Sequence, residues 1–204
     1  MGRSAATTGL AVGVAHHLGW ANLVTADDRH RVVDRRRVEL IEPGLPAAPI
    51  HHEGGTHELH RSGDELDDAA LAELVARVRA SAEHMTEAAL DALAQDLTAP
   101  VTHLCLRAWR DDLPTDMAAL RRPPHESRAD SVMYLEVLAA AADRRGWQVH
   151  TFDAKTVEAA AAQALGPSAD LEAVLAAPRT ELGPPWSKEH RMALAATIVV
   201  TAGG

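Results

Sequence analysis

Apolar and polar positions along this chain predict three consecutive strands at its start. The opening segment, LAVGVAHHLGWANLVTADDRHRVVDRRRVELI, splits into two apolar runs and one half-alternating run, separated by a glycine turn and a polar turn. Apolar runs of this length between turn residues are typical of strands, and short turns join antiparallel neighbours. The pattern therefore predicts an antiparallel meander of strands at 10–17, 20–26 and 31–41.

The rest of the chain alternates between helical and strand patterns. Apolar residues at three- and four-residue spacing predict helices, and short continuous apolar runs predict buried strands. The first helix extends from Asp67 or Asp68 toward Leu97, with a candidate break near Thr86, whose hydroxyl could cap a second segment. The later elements are a strand at 101–109, a helix at 126–145, a strand at 147–152 and helices at 154–165, 170–177 and 187–201.

This order of elements predicts an α/β fold with a mixed sheet. Strand–helix–strand steps favour parallel pairing through right-handed crossovers, whereas the opening meander is antiparallel. A single sheet with helices on both faces accommodates both kinds of pairing. We expect residues 1–204 to form one domain, which is long enough to bury a substantial core, with the four tryptophans as its largest side chains.

Residues 42–65 carry prolines, glycines and four histidines without a periodic pattern, which predicts a long loop. His51, His52, His57 and His60 are candidate metal ligands, because zinc is often held by histidine nitrogens. Their spacing matches no recognised zinc motif, so a solvated histidine-rich loop is the alternative. A third interpretation is a regulatory flap that senses metal or pH, since histidine titrates near neutrality.

Net charge and cysteine content narrow the classes of function. A net charge of −9 at pH 7 repels phosphate backbones, which disfavours non-specific nucleic-acid binding but still allows a local basic patch. The single cysteine, Cys105, cannot form an internal disulfide, as expected for a cytoplasmic protein. No apolar run approaches the ~20 residues that span a bilayer, so we expect no membrane partner.

The element order resembles the ribonuclease H-like superfold, and within it the Holliday-junction-resolvase branch. The resemblance is carried by VGVAHHLGWANLVT, HRVVDRRRVELI, VTHLCLRAW, ESRADSVMYLEVLAAAADRRGWQVHTFDAKTV and the closing helix WSKEHRMALAATIVV. It implies acids at the end of the first strand, on the fourth strand and on the last helix, which together hold two divalent metals against a phosphodiester. The first of these positions falls at Ala15, and no carboxylate precedes Asp27.

The resemblance also implies a set of candidate catalytic residues. They follow the first strand, the fourth strand and the start of the last helix: His16, Asp111, Asp112, Glu189 and His190. Because histidine is a poor ligand for magnesium, a site containing it would favour zinc or manganese. Adjacent strand residues point to opposite faces, so only one of His16 and His17 can face a given pocket. A divalent metal is therefore the one cofactor that these residues suggest.

Two functions follow from the resemblance, and the sequence leaves open whether the chain is an enzyme. The missing first acid favours a ribonuclease H-like binding or scaffolding module without two-metal nuclease activity. Its partner would be a protein or a specific nucleic-acid structure, and the chain could form homo-oligomers. The alternative is a metal-dependent nuclease or phosphohydrolase with a histidine-containing site.

Overall fold

A five-stranded mixed sheet forms the centre of the fold. The structure is a computed structural model and describes residues 9–55 and 63–202. Its strands are β1 (Leu10–His17), β2 (Trp20–Ala26), β3 (Val32–Glu39), β4 (Val101–Arg107) and β5 (Gln148–Phe152). They lie in the order β3-β2-β1-β4-β5, with β1–β2 and β2–β3 antiparallel and β1–β4 and β4–β5 parallel. This order confirms the predicted meander followed by parallel strands.

Six α-helices and one π-helix pack around the sheet in the described part of the chain. They are a π-helix (Pro49–Gly54), α1 (Asp68–Asp96), α2 (Met117–Leu120), α3 (Glu126–Arg144), α4 (Val157–Leu165), α5 (Leu171–Leu182) and α6 (Lys188–Thr201). The Asp67 carboxylate caps α1 by accepting from the Ala70 backbone N–H at 2.8 Å, and Ser187 caps α6. Among the described helices, none is long and apolar enough to cross a membrane.

Helices cover both faces of the sheet, as predicted, and each face has its own apolar core. Helices α1 and α3 pack with Val12 and Leu104 on one face. Helices α4, α5 and α6 pack with Val24 and Cys105 on the other. Leu104 and Cys105 are neighbours in β4 and belong to opposite cores, because side chains alternate along a strand.

Two details differ from the sequence predictions. Helix α1 continues without a break past Thr86, because this residue is buried in line with Leu90 and no proline or glycine interrupts the helix. Only Trp147 and Trp186 are buried tryptophans, whereas the other two are half-buried. Tyr134 is the largest fully buried side chain, so the core depends less on tryptophan than its composition suggested.

Part of the predicted loop at 42–65 is folded against α3. The π-helix occupies Pro49–Gly54, and Asp130 of α3 accepts hydrogen bonds from two of its backbone N–H groups, at 3.1 and 2.9 Å. The Tyr134 hydroxyl donates to a backbone carbonyl just before the π-helix at 2.9 Å. Burial raises the pKa of Asp130 to about 6. These buried polar groups on α3 attach the segment to the core through hydrogen bonds that hydrophobic periodicity cannot reveal.

Candidate functional site

The carboxyl ends of β1 and β4 lie at the same edge of the sheet, because these strands are parallel neighbours. Ligands of α/β sheets bind outside the carboxyl ends of such strands. Two cavities open at this edge, a small one beside α6 and a larger one beside α3. We call them the α6 pocket and the α3 cleft.

The α6 pocket has a volume of about 170 Å³ and lies where β1, β4 and α6 meet. Ala15 and His17 line it from β1, Arg107 from the end of β4, and Glu189 from the first turn of α6. Glu189 is the only carboxylate among the lining residues. The pocket therefore combines one acid with an arginine and two histidines, His16 and His17, and its donor set is poor in the oxygen ligands that magnesium requires.

The Glu189 carboxylate is already engaged by His17. The distance from His17 Nε2 to Glu189 Oε2 is 3.0 Å. The His17 ring stacks on Trp20 with ring centroids 3.8 Å apart, and the Arg37 guanidinium carbon lies 3.9 Å from the centroid of the Trp20 ring. This layered arrangement fixes the imidazole, so the His17–Glu189 contact is held by the β1–β2 hairpin as well as by α6.

The α3 cleft is larger, about 690 Å³, and its polar lining is mainly basic. Arg107, Arg110 and Arg128 contribute three guanidinium groups. Asp112 is the only carboxylate among the lining residues, and it pairs with Arg128 at 2.6 Å. Trp109 is half-buried in the same wall. A local excess of positive charge thus lies on a chain whose net charge is −9.

His16 lines the cleft as a neutral imidazole. Its Nε2 lies 2.8 Å from the Ser131 hydroxyl of α3, whereas His17 contacts Glu189 of α6, so the two rings bond on opposite faces of the sheet as predicted. The expectation that only one of them faces a given pocket is wrong, because His16 also lines the α6 pocket. Burial, together with the positive charge of Arg107, lowers the pKa of His16 to about 4. At neutral pH His16 therefore offers the cleft a hydrogen-bonding group without a charge.

His16 should make the stability of the protein depend on pH below neutrality. The unfolded chain protonates this residue near pH 6.5, whereas the folded protein resists protonation down to about 4, so stability falls as the pH falls through this window. Each pKa unit corresponds to about 1.4 kcal/mol, which gives a loss on the order of 3 kcal/mol. Urea unfolding at several pH values measures the free energy of unfolding of the wild type and of His16→Gln. The difference between the two proteins should change by this amount across the window.

Asp130 makes an opposing contribution to the pH dependence of stability, and it is the same in the wild type and in His16→Gln. Subtracting the two free energies of unfolding therefore cancels it. The raised pKa of Asp130 means that its stabilising contribution is lost as the pH rises toward about 6. A difference between wild type and His16→Gln that stays constant between about pH 7 and pH 4 would contradict the assignment of a neutral, buried His16.

The acids predicted after the fourth strand lie away from the α6 pocket. β4 ends at Arg107, so both Asp111 and Asp112 belong to the connection that follows, and both are exposed. Asp112 lines the α3 cleft together with His16, where the Arg128 guanidinium holds the pKa of Asp112 below its usual range. The side chain that β4 itself brings to the α6 pocket is that of Arg107.

His190 serves the start of α6. It is 5% exposed, and its Nδ1 lies 2.8 Å from the Ser187 hydroxyl in a capping box. Its ring stacks on Trp186, with centroids 5.4 Å apart. His190 lines neither the α6 pocket nor the α3 cleft, whereas its neighbour Glu189 does line the pocket.

The histidine-rich segment is described only in part. His51 and His52 lie in the π-helix with ring centroids 5.4 Å apart, and His57 and His60 fall outside the described residues. Within residues 9–55 and 63–202, no group of three histidine, cysteine, aspartate or glutamate side chains is placed to hold a metal ion. Metal binding by the four histidines together stays a prediction.

Sequence reasoning overlooked the residues that give the α3 cleft its character. Arg107, Trp109 and Arg110 follow one another closely at the end of β4, and Arg128 and Ser131 come from α3. The motif RAWR at the exit of a buried strand was the available signal, because residues there lie at the ligand-binding edge of a parallel sheet. The contribution of α3 depends on how this helix docks, which the local pattern does not specify.

Comparison with known proteins finds structural similarity only. No protein-family model matches the chain, and no curated protein matches it. A structure of Thermus thermophilus RuvC in complex with a Holliday junction substrate is 13% identical, with a TM-score of 0.49, over 94% of this chain and 91% of that chain. A second T. thermophilus RuvC structure is 13% identical, with a TM-score of 0.48, over 93% of this chain and 91% of that one. The sheet itself has the topology expected from the sequence, an antiparallel meander followed by parallel strands with helices on both faces.

Proposed function

We propose that this chain is a ribonuclease H-like binding module that does not carry out two-metal nuclease chemistry. The observation that supports this proposal is the lining of the α6 pocket. At the junction of β1, β4 and α6, the chain has Ala15 and Arg107, and its single acid, Glu189, is paired with His17.

Two-metal hydrolysis of a phosphodiester needs several carboxylates that share two closely spaced cations. The resemblance implies one acid each from the first strand, the fourth strand and the last helix. Here the first position is apolar, and the guanidinium of Arg107 adds positive charge where cations would have to bind. Only Glu189 remains, and a metal ion would have to displace His17 from it. A divalent cation therefore meets repulsion and too few ligands in this pocket.

The α3 cleft has features that suit binding of a partner and that two-metal nuclease chemistry does not require. The α3 cleft combines guanidinium groups, a half-buried tryptophan and the neutral His16. These are recognition groups for an anionic partner, and none of them needs a metal ion. We accordingly assign the edge of the sheet to recognition of an anionic partner.

Titration with Mn²⁺ tests the ligand argument. In isothermal calorimetry the wild-type protein should show no saturable binding up to about 1 mM Mn²⁺, the range of weak protein sites for divalent cations. The matched variant Ala15→Asp/Arg107→Glu places two carboxylates beside Glu189 and should bind Mn²⁺ measurably. Stoichiometric binding by the wild type that disappears in Glu189→Gln would contradict the proposal.

A further inference from the structure

We propose that the α3 cleft binds a single nucleotide, with the phosphate held by Arg107 and Arg110 and the base stacked on Trp109. This inference rests on the proposed binding function and names its ligand class. It depends on the charge, the aromatic surface and the size of the cleft.

Two of the three cleft guanidinium groups are available to an anion. Arg128 pairs with Asp112, which neutralises that arginine. Arg107 and Arg110 are exposed, and within the described residues no carboxylate forms an ion pair with either of them, although Asp112 lies near enough for the charge of Arg110 to help lower its pKa. Guanidinium groups form paired hydrogen bonds with the oxygens of a phosphate. Two such groups in the lining of one cleft therefore suit a phosphate ester.

Trp109 lies between these arginines in the sequence and supplies the aromatic surface. It is half-buried, packs against the apolar core on the α3 side of the sheet, and lines the cleft. An indole anchored on one side and accessible on the other is a platform on which a nucleobase can stack. Guanidinium groups and an indole that line one cleft match the two ends of a nucleotide.

The remaining features favour one nucleotide over an extended strand. A volume of about 690 Å³ lies in the range of small-molecule and cofactor sites. The net charge of −9 opposes the approach of a long polyanion, whereas a small ligand experiences mainly the local field of the cleft. His16 and Ser131 add uncharged hydrogen-bonding groups in the same wall, where a ribose hydroxyl or a base edge could be recognised.

Calorimetric titration at low salt in EDTA tests the inference with three probes: adenosine 5′-monophosphate, ribose 5-phosphate and adenosine. The monophosphate should bind at least about tenfold more tightly than either fragment, because only it makes both the charged and the stacking contacts. Arg107→Gln/Arg110→Gln should weaken its binding about tenfold or more. Arg77→Gln changes an exposed arginine on α1, away from the cleft, and should leave the affinity unchanged.

Variants of Trp109 test the stacking contact. Trp109→Leu should weaken binding of the monophosphate about fivefold or more and leave ribose 5-phosphate unaffected. Trp109→Phe retains a ring and should retain most of the affinity, which separates stacking from a loss of folding, and melting temperatures report folding directly.

Absence of binding by the monophosphate, or equal affinities for it and ribose 5-phosphate, would overturn the nucleotide assignment. So would tighter binding of a twelve-nucleotide single strand than of the monophosphate at the same salt concentration. Because these titrations contain no divalent metal, their failure is distinct from a failure of the proposed function, which metal binding or metal-dependent cleavage would show.

Discussion

Replacing Gly13 with alanine is expected to destabilise the protein by about 3 kcal/mol, because the new methyl group would overlap the backbone of α6. A Cβ atom built on Gly13 of β1 would lie 2.0 Å from the carbonyl oxygen of Ala193 and 2.5 Å from its carbonyl carbon. Backbone atoms cannot rotate away as a side chain can, so α6 would have to shift as a unit. The same shift would carry Glu189 away from His17.

Urea denaturation of Gly13→Ala measures this effect, and Gly63→Ala is the matched control. Among the described residues, no heavy atom lies within 4 Å of a Cβ built on Gly63, so its substitution should change the free energy of unfolding by about 0.5 kcal/mol or less. A Gly13→Ala variant as stable as the control would show that α6 does not pack on β1 at this distance.

Arg121→Ala is expected to cost about 2–4 kcal/mol, because one buried guanidinium ties three segments together. Arg121 donates to the carbonyl oxygen of Gly54 at 2.8 Å and to that of Leu66 at 2.7 Å. It also binds the carboxylates of Glu65 and Asp68, at 2.8 and 2.7 Å. The substitution would leave the carbonyl oxygens of Gly54 and Leu66 without this hydrogen-bond donor. It would also remove the cation that the Glu65 and Asp68 carboxylates share.

The neighbouring Arg122 provides the control for Arg121. Arg122 is exposed, and Arg122→Ala should alter the free energy of unfolding by about 0.5 kcal/mol or less. Arg121→Lys should restore only part of the loss, since an ammonium cannot reproduce the planar fork of the guanidinium. Equal stabilities of Arg121→Ala and Arg122→Ala, measured by urea denaturation, would contradict this role.

Hydrophobic periodicity was sufficient to predict the order of the five strands and the five longer helices, but not the four-residue α2 or the π-helix. Tight turns separate the three opening strands, and the long helices carry apolar stripes, so each of these elements can be recognised from its own segment. Ala15, the position at which the resemblance implies an acid, lines the α6 pocket. Side chains at strand ends are predictable in this way because the strand register fixes their position.

Features created by contacts between distant segments could not be predicted. The role of Arg107 depends on the meeting of β4 with α6, and Ser131 reaches His16 only because α3 crosses the sheet at one place. The apolar pattern of β1 gives no sign of the role of Gly13, whose missing side chain sets the distance to α6. His190 resembled a candidate ligand, but it completes the cap of its own helix.

A cleavage assay on branched, duplex and RNA–DNA hybrid substrates with Mg²⁺ or Mn²⁺ tests most directly whether the chain lacks two-metal nuclease activity. We expect no cleavage above a buffer control by the wild-type protein, because the α6 pocket holds one paired carboxylate beside Arg107. Metal-dependent cleavage by the wild type that is abolished in Glu189→Gln, while this variant keeps the wild-type melting temperature, would contradict this expectation.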